Sequence, residues 1–255
     1  MGVTFITGAS SGIGRSLARR LAQHGDAMAL VARRTDLLNR LVAEIEQAGG
    51  RALALTCDVT DRKAVAAAVA ETESTLGPIT RLVANAGGGE PTFVDTFDAG
   101  EVAAIVDLNL IATANCVEAI LPGMLARGGG QLVATGSLAG YRGLPSAAAY
   151  SAAKAGLANL MESLRIDLRP KGITVTLLLP GFVRTKPKKG AKTKTKPFQL
   201  ELEDATERMT RAILAQRPRL AFPWALTLAF AVIRLLPANL YDRLMQGRGR
   251  KPKDN

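Results

Sequence analysis

Tyr150 and Lys154 stand four residues apart at the start of a helix-patterned stretch, and at that spacing a phenol and an ammonium share one helix face. A neighbouring positive charge stabilises phenolate and draws a tyrosine pKa down from about 10, which suits the phenol to proton exchange with a substrate. Taken alone, the pair also fits an ordinary surface contact. Ser137 stands thirteen residues earlier, just past the apolar run Gln131–Thr135. Asn109 lies inside a helix-patterned stretch, where a short amide is unfavoured unless it holds something.

A second constellation is the turn Gly8-Ala9-Ser10-Ser11-Gly12-Ile13-Gly14, between the first apolar run and the first helical pattern. Glycines let backbone N–H groups come close to a phosphate, and the following helix adds the partial positive charge of its N-terminus. Many strand–helix joints carry glycine for geometry alone, but this one sits on the N-terminal strand of a βαβ series, the context that phosphate binding requires. Other chemistry finds little support. His24, the one histidine, closes a helix before Gly25 and has no metal-ligand neighbours. No Cys/His cluster suggests zinc, so no metal is expected, and no Gly-x-Ser-x-Gly elbow suggests a hydrolase.

The elements that position these residues follow from periodicity. Apolar runs at Val3–Ile6, Ala27–Ala32, Ala52–Cys57, Leu82–Ala84, Gln131–Thr135 and Thr174–Leu179 alternate with helical patterns over Arg15–His24, Asp36–Ala48, Arg62–Leu76, Glu101–Arg127 and Tyr150–Arg169. Strands and helices at this spacing predict an α/β fold, a doubly wound parallel sheet with helices on both faces. One domain is expected over 1–255, with a cofactor and catalytic core over 1–185 and a substrate flap and C-terminal helices over 186–255. Gly8, Asp58, Asn85, Ser137 and Pro180 each fall at the carboxyl end of a predicted strand, where ligands bind in such sheets. Leu220–Ile233 is uncharged for fourteen residues and apolar on all sides, which predicts a helix held against the body or a second subunit. It falls short of the roughly 20 residues that span a bilayer.

Together, Thr7-Gly8-x3-Gly12-x-Gly14, Asn85-Ala86-Gly87, Asn109, Ser137, Tyr150-x3-Lys154 and Pro180-Gly181 resemble the short-chain dehydrogenase/reductase family, from residue 3 to about 185. The resemblance implies a Rossmann-like fold and an oxidoreductase that interconverts a carbonyl and a secondary alcohol with a nicotinamide cofactor. It gives Tyr150 the role of general acid or base, Lys154 that of lowering its pKa and bonding the nicotinamide ribose, and Ser137 that of holding the substrate oxygen. Asn109 would hold a water between Lys154 and solvent. The turn residues Gly8, Ser10, Ser11, Gly12, Ile13 and Gly14 would take the pyrophosphate. Asp58 and Val59 would meet the adenine, while Asn85, Ala86 and Gly87 would flank the adenosine. Val183 and Thr185, after Pro180 and Gly181, would meet the carboxamide. At the end of the second strand, enzymes selecting NAD(H) place an acid for the ribose 2′-hydroxyl. Here Arg33 and Arg34 stand instead and suit a 2′-phosphate, so NADP(H) is favoured over NAD(H), with Arg15 adding to the same field.

Composition bounds the partners. The net charge is +11, but six lysines between Lys186 and Lys196 and a net three positive charges in Gly247–Asn255 account for nine of it. A nucleic-acid-binding face is therefore not expected. The lysine segment reads as a flap over the substrate side. Cys57 and Cys116 make no disulfide framework, and the first strand follows Met1 directly, so a cytoplasmic location is expected. The expected partners are a small carbonyl or alcohol compound and further copies of the chain, as a homodimer or homotetramer. Two alternatives remain: a membrane-surface reductase of lipid-like substrates, and a nucleotide-binding regulator without activity. Replacing Tyr150 by Phe separates the enzyme from the regulator. Turnover should fall by roughly 10²–10⁴-fold with cofactor affinity retained, as steady-state rates and a cofactor titration would show; a variant keeping a tenth of kcat would remove Tyr150 from the chemistry.

Overall fold

The computed structural model describes residues 2–185 and 196–249. Its centre is a seven-stranded sheet, parallel throughout, in the order β3-β2-β1-β4-β5-β6-β9. The strands are β1 Val3–Thr7, β2 Ala27–Ala32, β3 Ala52–Thr56, β4 Ile79–Ala84, β5 Gly130–Thr135, β6 Ile173–Pro180 and β9 Arg219–Phe222. A two-residue parallel pair, β7 Val183–Arg184 with β8 Leu200–Glu201, stands beside the sheet. The strand order reverses between β1 and β4, and the crevice of a doubly wound sheet opens at that point.

The sheet is covered on both faces because its strands are apolar on both. Ile6, Met28, Leu30, Val83, Val133 and Leu178 point to one side, where α1 Gly12–Gln23, α2 Thr35–Gln47 and α7 Leu202–Leu214 pack. Their neighbours Phe5, Ala29, Val31, Leu82, Leu132 and Leu177 point to the other. There they meet α3 Arg62–Leu76, α5 Ala112–Arg127 and α6 Ala148–Leu168. This one-in-two alternation of apolar side chains produces the continuous apolar runs of the sequence. Cys57 and Cys116 lie in the second of these cores and are free and buried. Burial raises their thiol pKa values to about 11 and about 12, which keeps both groups as neutral thiols.

Three elements differ from their expected form. The helix expected over Glu101–Arg127 is α4 Ala99–Val106, a π-helical turn at Asp107–Ile111 and then α5. The strand expected from Leu82 begins at Ile79 and takes in Arg81, because that charge is paired inside the structure. The stretch Leu220–Ile233 is not one helix. Its first three residues belong to β9, which hydrogen-bonds to β6 as the seventh strand, and only after Pro223 does α8, Trp224–Leu235, begin. A short α9, Ala238–Met245, follows. Nor is α8 enclosed, since none of its residues is fully buried. Within the described residues, one continuous helical stretch, Ala99–Arg127, is long and apolar enough to cross a membrane; it contributes Cys116, Val117, Ile120 and Met124 to the core. The proposed flap lies, but for Lys196, outside the described residues.

At the amino ends of the strands, away from the crevice, polar side chains satisfy one another across the sheet. The Arg81 guanidinium pairs with Asp26 and donates to Gln131 Oε1 at 2.7 Å, while Thr4 Oγ1 donates to Asp26 Oδ2 at 2.7 Å. Gln131 Nε2 in turn donates to Thr176 Oγ1 at 3.1 Å and to the Ile213 carbonyl at 2.9 Å. The side chains of Arg81 and Asp26 are 16% and 11% exposed. Removing one partner of such an enclosed pair leaves a charge with little solvation, a loss of roughly 3–5 kcal/mol. Asp26→Ala should therefore lower the chemical denaturation midpoint substantially while cofactor affinity of the folded fraction stays unchanged. A midpoint within experimental error of the parent would show that Arg81 finds equivalent solvation without Asp26.

Candidate active site

β1 delivers the chain into Gly8, whose φ of +67° turns it sharply across the sheet end. The first turn of α1 then seats directly on that bend. A Cβ on Gly14 would lie 2.3 Å from the Gly8 carbonyl oxygen and 2.6 Å from Asn85 Nδ2, so this approach admits only glycine. The Ser11 side chain does not cap α1, and the first N–H groups of that helix have no acceptor within it. They form an anion cradle at the strand ends. Thr7 Oγ1 accepts from the backbone N–H of Asn85 at 3.0 Å and of Ala86 at 2.9 Å. Asn85 Nδ2 donates to the Thr7 carbonyl at 3.2 Å, and Thr135 Oγ1 donates to Asn85 Oδ1 at 3.2 Å. Asn85 thus ties β1, β4 and β5 together at their carboxyl ends.

The four groups expected to carry chemistry converge on the same edge. Ser137 follows β5, and its Oγ accepts from Ala139 N at 3.1 Å, holding the single 3-10 turn Leu138–Gly140. Tyr150 lies in the first turn of α6, and its phenol shares the cleft lining with Ser137. Lys154, one turn on, is 3% exposed, and its Nζ donates to the Thr135 carbonyl at 2.8 Å. Asn109 sits in the π-helical turn, where the widened helix turns its amide toward the sheet. Its Nδ2 donates to the Gly88 carbonyl at 2.6 Å and the Ile105 carbonyl at 2.9 Å, and its Oδ1 accepts from Gly88 N at 3.1 Å. Asn109 therefore clamps the chain beyond β4, and any water shared with Lys154 has only a second lone pair of Oδ1 or the backbone to use. A Cβ on Gly87 would come within 2.8 Å of Asn109 Oδ1 and 3.2 Å of Lys154 Nζ, so the absence of a side chain there lets the amide and the ammonium approach each other.

The electrostatics differ from the simple expectation that Lys154 lowers the Tyr150 pKa. Burial raises the Tyr150 phenol above its usual value, and the neighbouring Ser137 hydroxyl works against that rise. Burial also lowers Lys154 from 10.5 to about 8. The ammonium faces the Thr135 carbonyl and stands 5.7 Å from the centre of the Tyr150 ring.

A cleft of about 470 Å³ runs along this edge. Gly8, Ser10, Ser11 and Ile13 line its middle, Arg33, Arg34, Asp58 and Val59 one end, and Tyr150, Lys154, Pro180 and Gly181 the other, with Val183 and Thr185 beside them. Asn85, Ala86 and Gly87 form part of its floor. Gly12, Gly14 and Asn109 do not line it; they stand behind the lining and set its shape. The sequence reading missed Val31, Ala32, Cys57, Gly88, Leu108, Thr135 and Gly136, which also face the cleft. Gly136 carried a signal, as a glycine between a strand end and Ser137; the others are indistinguishable from core and loop positions. Of the three arginines expected at the adenosine end, Arg34 donates to Ser10 Oγ and Ser11 Oγ, each at 2.7 Å. Arg33 is 75% exposed and 3.7 Å from Asp58. Arg15 does not contribute to that field, because it is bonded to Glu44 of α2 at 2.7 Å. Next to Ser137 and Tyr150 a second pocket, about 510 Å³, is walled by Leu138, Leu144, Phe182, Leu226 and Phe230.

A parallel sheet with a glycine-turn cleft at its switch point, and a Tyr/Lys/Ser/Asn cluster at one end of that cleft, defines a dinucleotide-binding oxidoreductase. The chain belongs to the short-chain dehydrogenase family, whose sequence profile it matches over residues 2–196. It is 38% identical over 237 residues, 93% of both chains, to an uncharacterized oxidoreductase of Myxococcus xanthus. Its structure resembles that of a short chain dehydrogenase/reductase from Burkholderia phymatum in complex with NAD, with a TM-score of 0.82 and 25% identity, covering 100% of this chain and 98% of that one. It also resembles an alcohol dehydrogenase from Thermococcus sibiricus complexed with 5-hydroxy-NADP, with a TM-score of 0.76 and 28% identity, covering 87% and 94%.

The buried lysine makes a thermodynamic prediction. Its folded-state pKa of about 8 lies below the ordinary 10.5, so between those values the folded chain holds fewer protons than the unfolded chain, and stability rises with pH across that window. Lys154→Met should therefore stabilise the protein without added nucleotide by up to about 3 kcal/mol at pH 7. The gain should fade as pH rises from about 8 to 10.5. Urea denaturation of both proteins across that range would show it; a difference independent of pH would mean that Lys154 is solvated in the folded state.

Proposed function

We propose that this chain is an NADP(H)-dependent enzyme that interconverts a carbonyl and a secondary alcohol. The reading rests on the Tyr150 phenol, set beside Ser137 and one helical turn from Lys154, where the cofactor cleft meets the apolar pocket. The cleft fits a dinucleotide: α1 aims unpaired N–H groups into it, and Gly8 and Gly14 keep side chains out of the path. The nicotinamide, when bound, supplies or accepts the hydride. In the reductive direction Ser137 Oγ holds the substrate oxygen and Tyr150 gives it a proton, so the charge that would build on that oxygen is neutralised. Lys154 places a positive charge beside the phenol, and Asn109 holds the Gly88 backbone against it. The segment Pro180, Gly181, Val183 and Thr185 orients the nicotinamide end; Asp58 and Val59 face the adenine.

The preference for NADP(H) rests on Arg34. Solved relatives with both cofactor types share the fold, so the fold does not select between them. Arg34 lies across the hydroxyls of Ser10 and Ser11 at the end of β2, and the first acid after that strand is Asp36. A guanidinium held there presents paired donors to a 2′-phosphate. Arg33 is the exposed second contact, already shared with Asp58. A cytoplasmic homodimer or homotetramer is the proposed working form, in which residues 1–185 carry the cofactor and catalytic groups.

NADPH should bind at least tenfold more tightly than NADH, a difference of about 1.4 kcal/mol or more. Arg34→Ala should remove most of that difference, and Arg33→Asp should narrow it. Fluorescence titration of both cofactors decides it: equal affinities in the parent protein sink the preference, and an Arg34→Ala protein that still favours NADPH moves the phosphate contact elsewhere. A screen of ketones and aldehydes by NADPH absorbance, with Tyr150→Phe as the control, tests the reaction itself.

A further inference from the structure

Among the described residues, nothing covers the outward face of α8. Trp224, Leu228, Val232 and Leu235 recur at helical spacing and are 78%, 58%, 53% and 84% exposed. Leu240 and Leu244 of α9, also exposed, extend the patch. The inward side of the same helix presents Leu226 and Phe230 to the core and to the pocket beside Tyr150. One helix therefore forms both a wall of the substrate-side pocket and an apolar surface. Single exposed apolar residues are ordinary, but a row of large ones along one helix marks a docking surface.

Charge selects what docks there. Arg234, Arg243 and Arg248 are exposed on and after these helices, against Asp242 alone. No acidic residue occurs between Glu207 and Asp242. In an isologous pairing with a second copy, the same patch meets itself, so these arginines would face their own equivalents. An anionic surface neutralises them instead. At 1.5 Å per residue, the 12 residues of α8 extend about 18 Å, short of the roughly 30 Å hydrocarbon core, so the helix can lie in the interface but not cross it.

We propose that the α8–α9 face docks on an anionic lipid surface and that the pocket behind it takes an apolar carbonyl compound dissolved in that lipid. The substrate half of this inference rests on the proposed reductase activity; the docking half does not. Trp224 is the one tryptophan of the chain and lies on the docking face, so its emission reports contact directly.

The test mixes the full chain with vesicles of phosphatidylcholine and phosphatidylglycerol. Trp224 emission should shift to the blue and be quenched by dibrominated acyl chains; the shift should be lost with phosphatidylcholine alone and reduced in high salt. The Leu228→Glu/Val232→Glu double variant should lose the shift while keeping NADPH binding and turnover of a small water-soluble ketone. With anionic vesicles, turnover of a long-chain methyl ketone should rise severalfold in the parent protein and not in the double variant. Unchanged Trp224 emission on anionic vesicles overturns the docking. A shift that follows protein concentration without lipid also overturns it, in favour of a second copy. Vesicle contact with no gain in long-chain turnover overturns the lipid-borne substrate. If no carbonyl is reduced under any condition, the proposed activity fails, and the fluorescence result stands separately.

Discussion

Lys154 carries an ammonium group to a position where it is 3% exposed, and the surrounding structure is arranged around that burial. Its Nζ rests on the carbonyl of Thr135, the last residue of β5. The helix that brings it there is 21 residues long and puts Leu157, Met161 and Leu168 into the core, so apolar packing over three further turns holds the charge in place. A Cβ on Gly140 would lie 2.8 Å from the Lys154 backbone, so the turn after Ser137 is pressed against α6 itself. Ser137 and Tyr150 are thus fixed to each other through the backbone that carries Lys154. Burial that lowers an ammonium pKa to about 8 costs folding free energy near neutral pH, a pattern found where function rather than stability sets a residue.

The two ends of the sheet treat polar groups differently. At the amino ends, Arg81, Asp26, Thr4 and Gln131 satisfy one another within the protein. At the carboxyl ends, the N–H groups that open α1 and the Arg34 guanidinium border open cleft. The strand alternation that fills both faces with apolar side chains leaves only the sheet's ends for polar chemistry, and the reversal between β1 and β4 opens one of them.

How much was legible in the sequence follows the same division. Parallel strands buried on both faces write uninterrupted apolar runs, so six of the seven sheet strands were readable, and the helix Arg62–Leu76 to the residue. The cleft lining was readable where residue type stands out from its surroundings: glycines at a strand end, a phenol one turn from a lysine, arginines at the end of β2. β4 was read short because Arg81 looks like a boundary until Asp26 is placed beside it. β9 was missed because four residues, Arg219–Phe222, merge into the apolar helix that follows and become a strand only by pairing with β6. Spacing along a helix reveals the proximity of Lys154 to Tyr150, whereas burial depth, which raises the phenol and lowers the ammonium, depends on the whole fold.

The substrate side is held together by contacts that no local pattern announces. Arg142, in the loop between Ser137 and Tyr150, donates to the carbonyls of Ile233 and Leu236, each at 2.7 Å, at the carboxyl end of α8. The same guanidinium lies 3.9 Å above the Tyr241 ring, and the Tyr241 hydroxyl donates back to the Gly143 carbonyl. Arg142 and Tyr241 are ninety-nine positions apart, yet they clasp the loop carrying Leu138 and Leu144 to the helices carrying Leu226 and Phe230. The clasp touches neither the glycine turn nor the Thr135–Lys154 anchor. Changes in the residues it holds can therefore reshape the pocket while the cofactor cleft keeps its form, which is why a family motif set so complete in this chain says so little about what the pocket accepts.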